Sequence, residues 1–557
     1  MRAGGAVMIS RFGSAALLIE PVPAAASAPA ALEAVMALHT RLVDSAPGGV
    51  IALVPAARTV LVKLDPRALS LAAAQSWIEQ TLAAPTASSR RAGPVVELDI
   101  RYDGPDLADT AQLLGVSDEE LIARHSGVEW TVAFTGFAPG FGYLVAEDWP
   151  FDVPRLASPR TRVPTGAVGL AAGFAGAYPR ATPGGWRLIG TTSAQLFDPD
   201  AASPALLAPG ARVRFTPTRP ASTPAGPAST VAPADELSEP STFRRTIPQS
   251  GPLRRKRDGS VGRDAAPGPA PAVRVEASGL IATVQDLGRP DAAALGVSPS
   301  GALDRGALRT ANRLVGNRES AAGIEIAMGG FRAMALADTW IAVTGAWGPM
   351  TVGGHPLDHG APRLWRAGEE LHLDWFTAGA RAYFALRGGV AAPIMLDSRA
   401  TDTLAGLGPA ALAAGDEITL ATETAGPVPP VDLAPWSPPG DEIEVQVHVG
   451  PRDAWFAASA LPTLFESVWV VDAATDRVGM RLQGPALERV GAREVPSEGM
   501  VTGAIQVPPS GSPTILLADG PVTGGYPVIA TVDAADLDLL GQARPGTRIR
   551  FGHARSH

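Results

Sequence analysis

The chain closes its two halves on the same succession of phrases. Thr165-Gly166-Ala167-Val168, Thr182-Pro183-Gly184-Gly185-Trp186 and Pro209-Gly210-Ala211-Arg212-Val213-Arg214-Phe215 stand near the middle. Thr502-Gly503-Ala504-Ile505, Val522-Thr523-Gly524-Gly525-Tyr526 and Pro545-Gly546-Thr547-Arg548-Ile549-Arg550-Phe551 follow in the same order near the C-terminus. One such match arises by chance; the ordered set points to duplication of one fold, and so to two related modules in tandem. The repeat is far longer than the roughly 20–50 residues of a solenoid unit.

Composition narrows the function classes. A chain of 557 residues has room for two to four domains, and 46% hydrophobic with 18% charged residues suits a globular protein with large cores. A net charge of -9 disfavours a nucleic-acid partner, which requires a basic footprint. The absence of cysteine excludes disulfides, a thiolate nucleophile and cysteine-ligated zinc or iron–sulfur centres. No secretion signal opens the chain and no apolar run approaches the ~18 residues of a membrane span. A cytoplasmic protein without a membrane partner is the expectation. Lys63 and Lys256 are the only lysines. Neither follows glycine as a phosphate-cradling Gly-Lys-Ser/Thr loop requires, and neither sits in Met-Lys-Met, so no biotin is expected on this chain. A lysine Schiff base is not expected either.

The expected fold class is mostly β, with an α+β N-terminal subdomain and barrels in tandem. Residues 1–90 read as the small α+β subdomain, in the order strand, helix, strand pair, helix: Ala15 to Ile19, Ala30 to Val43, Val50 to Leu53 with Val60 to Leu64, and Ser70 to Leu82. Residues 91–215 read as a barrel. It opens on the strictly alternating Val96 to Tyr102 and carries helices at Asp106 to Leu114 and Ser117 to Arg124, the second capped by Ser117 with acids in its first turn. Short strands between Gly and Pro follow Trp130. Residues 216–272 are rich in Pro, Ala, Ser and Thr, hold the basic knots Arg244-Arg245 and Arg254-Arg255-Lys256-Arg257, and read as a flexible, solvated linker. The second module divides into 273–440, with a helix from Asp304 to Val315, and 441–557, which begins on the alternating Glu442 to Val449.

Several phrases concentrate chemistry. Phe134-Thr135-Gly136-Phe137-Ala138-Pro139-Gly140-Phe141-Gly142-Tyr143-Leu144 combines turn-forming residues with glycines that let backbone amides approach a ligand. Arg155, Arg160 and Arg162 follow and could gather as a guanidinium cluster for carboxylate or phosphate; the plainer reading is tight barrel corners with surface arginines. In the second module stand Gln285-Asp286-Leu287-Gly288-Arg289, Ser300-Gly301-Ala302-Leu303-Asp304, Asn312, Glu325, Ser398-Arg399, Asp476-Arg477, Ser497-Glu498-Gly499 and Gln506. Such side chains offer the donors and acceptors that an amide or ureido group needs. Ser300 and Asp304 lack a histidine nearby in sequence, and Asp304 reads equally as a helix N-cap. His355-Pro356-Leu357-Asp358-His359 has two histidines four apart, but Pro356 and Gly353-Gly354 favour a hairpin over a zinc-binding helix; no metal site is expected.

Together these phrases resemble the B-subunit and C-subunit families of 5-oxoprolinase, also known as allophanate hydrolase subunits 1 and 2, fused in that order. They are also similar to the carboxyltransferase domains of urea carboxylase and to a sporulation-kinase inhibitor and its antagonist. Tyr102-Asp103-Gly104-Pro105-Asp106-Leu107, Gly136 to Leu144 and Thr182 to Trp186 carry the B-subunit likeness; Gln285 to Arg289, Ser300 to Asp304 and Thr523-Gly524-Gly525-Tyr526-Pro527 carry that of the C-subunit. The resemblance implies cyclophilin-like barrels for residues ~95–215 and for both halves of the second module. It implies ATP-dependent opening of 5-oxoproline to glutamate with a separate 5-oxoprolinase A-subunit, ATP with Mg serving as co-substrate. A phosphorylated lactam carbonyl, followed by water, is the mechanism considered. Arg155, Arg160 and Arg289 are then the expected anion binders. Gln285, Asp286, Asp304, Asn312 and Gln506 are the residues expected to recognise the amide or transfer protons, with Gln285, Asp286, Asp304 and Gln506 as the catalytic set, and Tyr143, Trp186 and Tyr526 are expected to line the substrate. A homo-oligomer is left open. The chain departs from the family pattern at Asp519-Gly520-Pro521-Val522, a change that could alter substrate choice, and at Ala138 and Leu303, which look like packing swaps. Two rival readings remain: a carboxyltransferase passing CO2 from a partner's carboxybiotin to urea or a related amide, and a non-enzymatic regulator of another protein.

Overall fold

Serine caps and an apolar stripe set the N-terminal layer. In the computed structural model, which describes residues 7–84, 93–218, 270–430, 437–438, 440–491 and 495–555, Ser27 and Ser70 accept the amides of Ala30 and Ala73 at the heads of helices Ala28–Ser45 and Leu71–Ala83. The helices press Val35, Leu38, Leu42 and Ile78 onto Leu17, Ile19, Val60 and Val62 of an antiparallel sheet. Its strands, Met8–Arg11, Ala16–Glu20, Val50–Pro55 and Val60–Leu64, lie in the spatial order first, second, fourth, third. The first strand was absent from the sequence-based order. It is a short edge strand with little buried surface, so it leaves no apolar periodicity to detect. The linker expectation and its basic knots fall on residues outside those described, apart from a few at either end.

The duplication is visible in strand order. One sheet is built from Val95–Ile100, Trp130–Thr135, Gly142–Val145, Ala167–Ala171, Phe174–Ala177, Arg187–Thr191 and Arg212–Pro217. Near the C-terminus, Glu442–Val449, Trp469–Val471, Gly479–Gln483, Ala504–Gln506, Thr514–Leu516, Val528–Val532 and Arg548–His553 form a closed barrel. In both, the last strand runs parallel to the first and antiparallel to the second. In both, the circuit continues third, fifth, fourth, sixth. The barrel closes when its sixth strand pairs with its first; the earlier sheet curls until Arg101 and Thr191 exchange two 2.8 Å backbone bonds.

The repeated phrases fall at equivalent places in these circuits. Gly166 (φ 79°) and Gly503 (φ 86°) turn the chain into the fourth strands, and Gly210 (φ 85°) and Gly546 (φ 89°) into the seventh; these are left-handed turns that glycine tolerates without a Cβ penalty. Thr182–Gly184 and Thr523–Gly524 each form one side of a two-stranded ribbon. Even the entry tryptophans match: Trp130 Nε1 donates to His125 O and Trp469 Nε1 to Leu464 O, each at 3.0 Å.

Residues 270–430 are built differently. A six-stranded and a five-stranded sheet enclose one core that includes Val273, Ile324, Phe331, Val343, Trp365 and Phe384. Their strand order does not repeat the seven-strand circuit, which corrects the expectation of a barrel like the other two in this half. Helix Arg305–Leu314 buries Leu308, Ala311 and Leu314 on Ala342, Tyr383 and Ala385, covering a face of the five-stranded sheet. His355 lies in a hairpin with Met350–Val352, as Gly353-Gly354 suggested, and His359 Nε2 lies 3.1 Å from Gly345 O. No helix is long and apolar enough to cross a membrane among the described residues.

The two modules share a tight seam. Phe137, held at φ 65°, donates its amide to Thr523 Oγ1 at 3.0 Å, Gly140 N donates to Leu295 O at 3.0 Å, and Thr135 Oγ1 donates to Ala294 O. Arg452 ties Glu20 of the N-terminal sheet to Glu498 of the last barrel. A Cβ on Gly136 would sit 2.3 Å from Thr523 Oγ1, so glycine is required there by close approach. Gly136→Val is expected to cost about 1–3 kcal/mol through overpacking, read as a lower urea midpoint; a wild-type midpoint would mean that the seam yields freely.

Candidate functional site at the module seam

The residues singled out in the second module converge on one short segment, 398–403. Gln285 ends the strand Ile281–Gln285, and its Nε2 donates to Thr401 O at 3.0 Å. Asp286 accepts Ser398 Oγ, Gly288 N and Arg399 N, each at 2.7 Å. Arg289 Nη2 donates to Ala400 O. Ser300, held at φ 52°, donates to Thr401 O at 3.1 Å and to Asp519 Oδ1 at 2.7 Å. Gln285, Asp286, Arg289 and Ser300 are all buried.

Behind this segment lies a buried ion network. Arg477 grips Asp519 through Nε at 3.0 Å and Nη2 at 3.1 Å, and also donates to Glu325 and to Gly301 O. Glu325 Oε2 accepts Tyr383 OH at 2.7 Å and Leu303 N at 3.0 Å. Asp519 Oδ2 takes two bonds from Thr403. The guanidinium and these hydrogen bonds hold the Asp519 and Glu325 carboxyls below their ordinary values against the opposing effect of burial. The Asp519 phrase, which departs from the family pattern, is therefore a structural partner of Arg477.

Some buried polar atoms here make no hydrogen bond. Arg289 Nη1 and Asp402 Oδ2 are 3.9 Å apart, and neither makes a hydrogen bond; Gln285 Oε1 and Arg180 Nη1 are also buried without one. Burial and the neighbouring Asp519 push Asp402 up to about 6. Buried polar groups are rarely left unpaired, so these atoms mark where an amide could be held, its oxygen facing a guanidinium and its N–H facing a carboxylate. Lys63, on its strand, faces the same seam; burial, with a contribution from Arg305, pushes its ammonium down to about 8. Among the described residues, no group of His, Asp or Glu is arranged to hold a metal.

Asp304 plays the N-cap role: Oδ1 accepts Ala307 N at 2.8 Å, while Oδ2 accepts Gln542 Nε2 at 2.7 Å. Burial raises its carboxyl to about 6. A folded-state value above the unfolded one favours the protonated fold. The resulting stability is complete below about pH 4 and is lost as pH rises through about 6. Relative to Asp304→Ser, which keeps a capping oxygen, the wild type is expected to lose on the order of 2 kcal/mol between pH 4 and pH 7. Urea melts at both pH values check this; an unchanged difference between the two proteins would refute it.

The remaining expected residues lie elsewhere. Arg160 is committed to Asp106 at 2.6 Å, whose other oxygen accepts Leu188 N, while Arg155 and Arg162 are exposed. Tyr143 stacks on Phe134 at 4.3 Å and, with Trp186, Phe141 and Tyr178, builds an aromatic core. Tyr526 is exposed. Gln506 stands at a bulge in its barrel strand. Asn312 uses its amide within the fold, donating to Ala321 O at 2.7 Å and accepting Asn317 Nδ2 at 3.0 Å. Sequence reasoning missed Asp402, Thr403, Tyr383 and Gln542. Tyr383 and Gln542 are polar residues among mostly apolar neighbours, and Asp402 and Thr403 belong to the ordinary polar stretch from Asp397 to Thr403; both signals are too common to select them.

The chain resembles known proteins in both halves. Residues 7–207 match the model for carboxyltransferase domain, subdomain C and D, and residues 295–553 that for subdomain A and B. The 5-oxoprolinase C-subunit of Haemophilus influenzae is 35% identical over 280 residues, covering 48% of this chain and 87% of that protein. The 5-oxoprolinase B-subunit of Escherichia coli O157:H7 is 41% identical over 189 residues, 33% of this chain and 84% of that protein. Urea amidolyase of Lachancea kluyveri is 32% identical over 308 residues, half of this chain but 17% of that protein. The crystal structure of TTHA0988 superposes with a TM-score of 0.78 at 34% identity, covering 98% of this chain and 100% of that one.

Proposed function

Given that the chain belongs to the carboxyltransferase-domain family of the 5-oxoprolinase B- and C-subunits, and carries both parts in one polypeptide, we propose that it is the B/C component of an ATP-dependent 5-oxoprolinase. In this reading it opens 5-oxo-L-proline to L-glutamate together with a separate A-subunit. The observation that carries it is the pair of likenesses, over 48% and 33% of the chain, each spanning more than four-fifths of one 5-oxoprolinase component.

ATP would supply the phosphoryl group that activates the lactam oxygen. The residues of this chain would hold the amide: Arg289 Nη1 donating to its oxygen and Asp402 Oδ2 accepting its one N–H. A carboxyl near 6 can take up and return a proton close to neutral pH. The test is 5-oxoproline-dependent ATP hydrolysis and glutamate formation, with and without the candidate A-subunit. Glutamate that appears only with both proteins is the expected result; its absence from a folded complex would sink the reading. The urea amidolyase likeness favours one second reading, transfer of a carboxyl group from a partner's biotin to urea or a related amide. Biotin-dependent carboxylation of urea would then take the place of glutamate formation.

A further inference from the structure

Arg180 belongs to the first module but ends inside the second. It follows the strand Phe174–Ala177, and its guanidinium lies flat against Gly406: a Cβ there would meet Nη1 at 2.9 Å, Nη2 at 3.1 Å and Cζ at 3.2 Å. Gly406 closes the turn that presents Asp402, donating its amide to Asp402 O at 2.8 Å. Arg180 is electrostatically coupled to Asp402, yet its Nη1 is buried without a hydrogen bond. Arg289 Nη1, 3.9 Å from Asp402 Oδ2, likewise makes no hydrogen bond.

One guanidinium N–H from each module is thus buried without a hydrogen bond, and both guanidiniums feel the charge of one carboxylate. An unmet buried N–H is costly, and that of Arg180 marks a place for an acceptor next to the segment that carries Asp402. Arginine forks match a planar oxyanion. Asp402 disfavours a multiply charged phosphate more than a monoanion.

We propose that Arg180 is a specificity residue that binds the carboxylate of an anionic amide substrate across the seam between the two modules, while Arg289 Nη1 faces the amide oxygen. This deepens the proposed function, on which the identity of the amide rests, and it makes the site incomplete without both modules. A neutral amide would leave Arg180 unmet.

The full-length protein would be titrated calorimetrically with 5-oxo-L-proline, 2-pyrrolidinone (the same lactam without the carboxylate) and inorganic phosphate. The wild type is expected to bind 5-oxo-L-proline at least tenfold more tightly than 2-pyrrolidinone. Arg180→Met is expected to weaken 5-oxo-L-proline at least tenfold, leave 2-pyrrolidinone unchanged, and be partly rescued by Arg180→Lys. Arg180→Gln, closer in length and polarity, serves if the methionine variant misfolds. Unchanged 5-oxo-L-proline affinity, equal weakening of both lactams, no binding of either by the wild type, or tighter binding of phosphate than of 5-oxo-L-proline would each overturn the proposal. Turnover with the A-subunit is scored separately, so selective carboxylate binding without glutamate formation would sink the proposed reaction and leave Arg180's role standing.

Discussion

Arg477→Ala is expected to cost roughly 3–5 kcal/mol, the penalty for removing one partner of a buried ion pair. Its guanidinium is the shared counter-charge of Asp519 and Glu325, which are 0% and 3% exposed. Arg381 approaches Glu325 only to 3.6 Å, and nothing comparable replaces Arg477 beside Asp519. The loss also reaches the site, because Asp519 holds Ser300 and Thr403. Equilibrium urea unfolding would read the effect. Arg366→Ala, which breaks the exposed pair with Asp338, serves as the control and should unfold close to the wild-type midpoint, because solvent screens such a pair. If the two variants unfold alike, the buried network does not hold the second module together.

Arg289→Lys should abolish most of the activity while leaving the protein folded. Lysine keeps the charge but cannot donate in two fixed directions, so the bond to Ala400 O and the free Nη1 cannot both be kept. Losing a charge-assisted hydrogen bond of about 2–3 kcal/mol in the transition state corresponds to a fall of roughly 30- to 150-fold in kcat/KM. Steady-state kinetics with the A-subunit, alongside a thermal melt, would check this. Activity within threefold of wild type would remove Arg289 from the site.

Much of the architecture was legible because it is written locally. The positive-φ glycines at 166, 210, 503 and 546, the serine cap at 117 with its bond from Glu120 N, the Asp304 cap and the alternation of Glu442–Val449 each depend on neighbours in the chain. The same is true of the matched phrases, which locate equivalent strands in two seven-strand circuits. The strand order of residues 270–430 was not legible, since it depends on which distant edges pair.

The sequence by itself therefore determined the duplication, the small α+β subdomain, the capped helices and the pool of polar residues from Gln285 to Asp304. Only the tertiary structure decided which of that pool meet. It committed Asn312 and Arg160 to internal bonds and brought Asp402 and Asp519 near Arg289, and Arg180 against Gly406 in the Asp402 turn. The physical reason is separation along the chain: Ser300 meets Asp519 across 219 positions and Asp286 meets Ser398 across 112. No local pattern of caps or alternation encodes such pairings; they form only when the sheets have closed and buried polar groups must find partners.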